Sequence, residues 1–233
     1  MNMKRLLLLA TAVLLFTPAA AMADGVLNFN IVAPASGTIA YGGGGGPLSG
    51  SSIAVSSVCG SGTAANDGTC FNLVNATLSF TTGNLTGTDA DNWYFGGGGT
   101  ITLTGGVDTD GDSIADIPEG TILFSGVINQ TGASVSTIPD GNEFHKLTMG
   151  WFDDRKDDDL VALFGFDAGL PWTGTFVIEF TTVPGALPPS GFTSSGIGDG
   201  LVTNTPVPEP TTMVLFGTGL LGLAGMIRRR IGA

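Results

Sequence analysis

The sequence predicts an all-β protein: a single antiparallel β-sandwich, jelly-roll or immunoglobulin-like, with a signal helix before it and a transmembrane helix after it. Three observations lead there. Between the two hydrophobic ends the composition is Gly, Ser, Thr, Asn and Asp with β-branched residues and Phe interspersed, and stretches of helix-favouring Ala, Leu, Glu and Lys are missing. Short apolar or alternating runs recur every ten to twenty residues or so. The connections between them carry Gly-Asn, Asp-Gly and Gly-Gly pairs, which permit positive φ and suit hairpins rather than helical crossovers.

The first element is the segment 1–23. It has a basic start (Lys4, Arg5), an apolar run from Leu6 to Phe16 and the small-residue ending Ala21-Met22-Ala23 before Asp24, the pattern a signal peptidase accepts. The body is expected over 24–183. Its predicted strands are Val26 to Val32, Ser52 to Val58, Leu73 to Thr81, Gly99 to Thr104, Thr121 to Ile128, Phe144 to Trp151, Leu160 to Phe166 and Thr175 to Thr182. Asn75 to Phe80 and Thr100 to Thr104 alternate polar with apolar residues, the period that places one strand face on a core and the other in water. Gly42 to Gly46 and Gly96 to Gly99 lack the lysine, the glycine spacing and the following helix of a phosphate-binding loop, and read as flexible connections.

Residues 184–206, rich in Pro, Gly, Ser and Thr and without a periodic apolar face, read as an extended or disordered linker. The last segment, 207–233, runs from Val207 through Pro208-Glu209-Pro210 into an apolar stretch, Thr211 to Ile227, and closes on Arg228-Arg229-Arg230. About 17 helical residues span roughly 26 Å, enough for a short transmembrane helix. The three arginines act as a stop on the cytoplasmic side, so the body lies outside the membrane.

The formal net charge of −12 understates the acidity of the exported part: Asp24 to Val207 hold 19 acidic and 3 basic residues, a net of −16. Such a surface repels nucleic-acid phosphates and attracts divalent cations, so DNA and RNA are excluded as partners. Cys59 and Cys70 bracket a loop of turn-forming residues and read as a disulfide, the alternatives being two free thiols or a metal pair without further ligands nearby. Closing so short a loop removes on the order of 3 kcal/mol of unfolded-chain entropy.

The run Asp108 to Glu119 is the main candidate for chemistry. Acidic side chains at Asp108, Asp110, Asp112, Asp116 and Glu119, with the Ile114 carbonyl between them, offer the hard oxygen donors that Ca2+ requires; the alternative is a solvated acidic hairpin turn. A second run, Asp153, Asp154, Asp157, Asp158 and Asp159 around Arg155 and Lys156, lacks that every-other spacing and reads as a solvated turn. His145 has no second histidine or serine motif near it and reads as a surface strand residue. No Gly-x-Ser-x-Gly elbow occurs, which points away from an enzyme. Trp93, Tyr94, Trp151, Phe152 and Trp172 are either core residues or sugar-stacking faces.

Two resemblances follow from these residues. Pro208-Glu209-Pro210, the glycine-bearing apolar helix and the arginine cluster resemble a PEP-CTERM sorting signal; the alternative is an ordinary C-terminal anchor. The resemblance implies processing near the motif by an exosortase, a membrane transpeptidase of Gram-negative bacteria, and association with exopolysaccharide and biofilm. The Asp108 to Asp116 run resembles the calcium loops of EF-hands, dockerins and thrombospondin type 3 repeats, but has Ser113 where those loops place glycine. The functional expectation is a structural or adhesive component of the envelope or extracellular matrix, with a carbohydrate-binding module as the alternative and a polysaccharide hydrolase as the weaker third. Its partners would be signal peptidase and exosortase, with exopolysaccharide as the ligand.

Overall fold

The computed structural model describes residues 25–129, 132–138 and 143–207. The expected signal peptide (1–23), the sorting residues Pro208, Glu209 and Pro210, and the stop residues Arg228, Arg229 and Arg230 lie outside the described residues.

Among the described residues twelve strands and one short helix follow one another: β1 (Val26–Ile31), β2 (Thr38–Tyr41), β3 (Pro47–Ala54), β4 (Ser57–Ser61), β5 (Cys70–Thr88), β6 (Asn92–Phe95), β7 (Thr100–Asp108), β8 (Ile117–Ile128), β9 (Ala133–Ile138), β10 (Phe144–Lys156), α1 (Asp158–Leu163), β11 (Trp172–Thr182) and β12 (Phe192–Pro206). Every named ladder is antiparallel, and all belong to one hydrogen-bonded sheet. The sheet closes on itself through the circuit β3–β2–β12–β11–β10–β8–β7–β5–β3. β1 and β4 form a second bridge from β12 to β5, and β6 and β9 a third from β5 to β10. Each strand therefore has at least two partners, and no strand offers a free edge along its whole length for another chain to pair with.

The antiparallel all-β expectation holds at this level, with more strands than the sequence announced and with the ladders continuous rather than divided between two sheets. Long strands make that continuity possible by bending. β10 pairs with β9 over Phe144 to Met149 and with β8 over Phe152 to Lys156, and the register shift between Met149 and Phe152 marks the bend. A bulge inserts an unpaired residue and turns the strand, which lets one strand serve two ladders. The interior is aromatic and aliphatic: Phe29, Phe124, Phe152, Phe176, Trp93 and Trp172 are all fully buried or nearly so.

The structure corrects three expectations. Residues 192–206, read as linker, form β12, which pairs with β11 along most of its length, with β1 over Gly200 to Asn204 and with β2 at Phe192 and Thr193. The composition is loop-like, but Phe192, Ile197 and Val202 point inward, and strand membership is decided by the partners available on both sides. Leu160 to Phe166, read as a strand, begins with α1: the Asp157 side chain accepts hydrogen bonds from the Asp159 and Leu160 N–H groups and caps the first turn, where Asp158 and Asp159 also favour the helix dipole. The third correction falls within Gly96 to Gly99: Gly98 is exposed and open, but Gly99 is buried and packed tightly rather than loosely connected. A Cβ at Gly99 would lie 1.7 Å from the Thr81 carbonyl oxygen, so only glycine lets this turn lie against β5.

Candidate functional site

Cys59 and Cys70 sit directly opposite each other on β4 and β5, with Cα atoms 4.0 Å apart, and are joined as a disulfide. The bond closes the turn Gly62 to Thr69 at the end of the sheet where β1 begins. The Asp67 side chain secures the same turn by accepting from the Gly62 N–H at 2.6 Å.

The acidic loop leaves β7 at Asp108 and rejoins the sheet at Ile117. Asp108 is buried and accepts the Gly111 N–H at 2.7 Å and the Ser113 N–H at 3.0 Å. Asp110 accepts from the Asp112 N–H and Asp112 from the Ile114 N–H, so short aspartate side chains take over the turn's backbone donors one after another. Gly111 and Ser113 both have positive φ, 84° and 68°, so the sharp bend is made even where the calcium-loop pattern would place glycine at 113. Asp116 accepts from the hydroxyl and the N–H of Thr109, and these two bonds hold its carboxyl below the usual carboxylate range.

One oxygen each from Asp108, Asp110 and Asp116 lie within 4.8 Å of one another. The other expected carboxylates, Asp112 and Glu119, are outside this group. Glu119 accepts a hydrogen bond from Asn75 at 2.7 Å, Asp112 is turned to the Ile114 N–H, and Ile114 is largely exposed.

The second acidic run is not one solvated turn. Asp153 and Arg155 face outward from β10, Asp157 caps α1, and Asp154 and Lys156 are turned into the interior, where they pair at 2.5 Å. His145 is likewise buried rather than on the surface. Its Nε2 meets the Thr182 hydroxyl at 2.9 Å, and its ring stacks on Phe180 and Phe192. Burial holds the His145 pKa below its ordinary value. His145 alternates in phase with Leu147 and Met149, a signal present in the sequence; Asp154 and Lys156 do not, because the bulge changes the strand's parity.

Of the five aromatic residues weighed as sugar-stacking faces, Trp93, Phe152 and Trp172 are core residues. Tyr94 is partly exposed and donates its hydroxyl to Asp89 at 2.8 Å. Trp151 is 62% exposed at the β10 bulge, on the outer face of the sheet.

The two ends of the described body leave the sheet side by side. Leu27 of β1 is paired with Asn204 of β12, so Val26 and Pro206 lie at the same end, on strands about 4.8 Å apart. Pro206 is still paired with Trp172, and the Val207 N–H donates to the Pro171 carbonyl at 2.9 Å, so the hydrogen bonding of the sheet reaches Val207. Among the described residues no helix is long and apolar enough to cross a membrane.

Residues 206–230 match the PEP-CTERM protein-sorting motif. The chain thus carries this motif, which implies export, sorting to the cell surface and processing by an exosortase. No curated protein and no solved structure matches the chain.

Proposed function

We propose that this protein is a non-enzymatic structural or adhesive component of the cell surface or extracellular matrix. An exosortase delivers it after signal peptidase has freed its N-terminus, and calcium in the Asp108 to Glu119 loop stiffens it. The sorting motif at 206–230 supports the route. The observation that carries the reading furthest is the placement of the ends: β1 and β12 are neighbours, and Val26 and Pro206 leave at one pole. A body held first by a leader and then by a tail at the same pole keeps one orientation toward the membrane throughout processing. The same pole carries Asp67, Asp110, Asp112, Asp116 and Asp158, and an acidic surface near anionic headgroups favours bound divalent cations.

The test is to replace Pro208, Glu209 and Pro210 with alanine in the native host. Unprocessed chain is expected to accumulate in the membrane fraction, while the natural chain is shortened and reaches the surface or matrix. Processing and location that do not change with the replacement would refute the route.

A second reading, a carbohydrate-binding module, rests on Trp151. A large exposed indole on an outer sheet face is the kind of surface on which a sugar ring stacks. Retention of the protein on exopolysaccharide, lost in Trp151→Ala, would favour this reading; retention unaffected by the substitution would dismiss it.

A further inference from the structure

The interior of the sheet holds a cluster that the proposed function does not use. Lys156, the last residue of β10, is buried, and its ammonium lies 2.5 Å from Asp154 Oδ2 and 2.9 Å from Asn204 Oδ1. The rings of Phe124, Trp172 and Phe29 surround it, with centroids 4.8, 5.0 and 5.4 Å from Nζ. Asn204 is on β12, two ladders away from β10, with β11 between them. The residue of β11 opposite both Phe152 and Asn204 is Gly174. A Cβ there would stand 2.4 Å from the Phe152 ring and 2.7 Å from Asn204 Oδ1, so the missing side chain is what lets Asn204 pass over β11 to the lysine.

As an ion pair this arrangement is poorly satisfied. Asp154 Oδ1 and Asn204 Nδ2 are two of the three buried side-chain polar atoms without a partner among the described residues. Leaving such groups unpaired is destabilising, and a buried pair recovers its desolvation only when its remaining bonds are made. Burial also holds the Asp154 carboxyl above its ordinary range and brings the Lys156 amine down to about 8, which favours the uncharged form of both partners. The Asn204 carbonyl carbon lies one bond of about 1.2 Å from the oxygen that Lys156 already touches. An amine held this close in a dry site has the proximity that turns a slow bimolecular aminolysis into an intramolecular one.

We infer that Lys156 and Asn204 condense into an intramolecular amide, with Asp154 as the catalytic acid and base. Asp154 takes a proton from the ammonium along their contact and leaves a neutral amine. The Nζ lone pair adds to Asn204 Cγ, a C–N bond forms, and the carbonyl electron pair moves to Oδ1 beside the protonated carboxyl. The proton released by Nζ passes through Asp154 to Nδ2, the Cγ–Nδ2 bond breaks, and ammonia leaves. One amide is exchanged for another, so no oxidant, reductant or cofactor is consumed. The product removes the orphaned Nδ2 and the buried ammonium together.

The bond joins β10 to β12 across β11, only a few residues before the sorting motif. Tension on a tail joined to Val207 enters the body through β12, and the amide would stop that strand from being peeled out. The chemistry itself is independent of the proposed sorting and matrix role.

The test is the intact mass of the full chain as it is exported and purified, reduced and denatured, compared with Lys156→Arg prepared in the same way. The linked chain is expected to be about 17 Da lighter than its processed sequence requires, the mass of one ammonia, and digestion should give a branched peptide containing both Lys156 and Asn204. Lys156→Arg and Asp154→Ala should keep the full sequence mass. Asn204→Asp should arrive at the same linked product by losing water instead, which separates the chemistry from a simple packing defect. A protease-resistant, folded natural chain with the full mass, whose Lys156 is acetylated once denatured, would overturn the inference. So would an equal mass loss in Lys156→Arg.

Discussion

Val202 distinguishes an interior strand from a tether at residues 192–206. Its side chain is fully buried, and its ladder neighbours are Phe29 of β1 and Phe176 of β11, both also fully buried. Val202→Ala deletes two methyl groups' worth of apolar volume. At about 0.8 kcal/mol per buried carbon the transfer loss is about 1.6 kcal/mol. The cavity left between two phenyl rings raises the total to about 2–3 kcal/mol. For a body of this size each kcal/mol moves the melting temperature by about 2–4 °C, so the variant should melt about 4–12 °C lower. Leu201, the preceding residue, is 40% exposed on the other face of β12, and Leu201→Ala should cost less than half as much. Scanning calorimetry of the two purified variants beside the natural chain reads the comparison directly. Val202→Ala melting within 1 °C of the natural protein would refute β12 as an interior strand.

Three other outcomes are expected. Cys59→Ser combined with Cys70→Ser removes a cross-link between residues 11 apart and should lower stability by about 3 kcal/mol, read by urea unfolding; an unchanged midpoint would show that the bond contributes nothing. His145 should make stability depend on pH on the acid side. The folded state holds its pKa below the ordinary 6.5, so the unfolded chain binds the proton more readily, and stability is complete above that value and falls as pH drops through it toward the folded pKa. Urea unfolding at pH 7.5 and pH 5 should show this loss reduced in His145→Gln, and equal losses in both proteins would contradict it. Millimolar calcium should raise the melting temperature of the natural chain and leave Asp108→Asn unmoved, since a ligand bound only by the folded state stabilises it by about 2.7 kcal/mol at one hundred times its Kd. A melting curve of the natural chain indifferent to calcium and to chelator would remove calcium from the proposed function.

The sequence alone determined what depends on local pattern or on composition. Alternation in Asn75 to Phe80 and Thr100 to Thr104 located parts of β5 and β7, because the period of two is a property of the strand itself. The sorting motif was legible for the same reason, being a contiguous run set by its own spacing, whereas of the acidic run only the carboxylates of Asp108, Asp110 and Asp116 come together in the fold. Cys59 and Cys70 were legible as a pair because they are the chain's two cysteines.

Tertiary structure decided whatever depends on a partner distant in the chain. A Ser-, Thr- and Gly-rich segment became β12 because β1 and β11 supply the hydrogen bonds and the apolar surface that its own composition does not announce. The bulge between Met149 and Phe152 reversed the parity of β10 and sent Asp154 and Lys156 inward, where counting onward from Leu147 and Met149 would place Asp153 and Arg155. The meeting of Lys156 with Asn204 needed a third strand as well, since it is the bare backbone of Gly174 that leaves room between them. A period read along one chain segment carries no record of these cross-strand events, because they are fixed by which strands become neighbours and in what register.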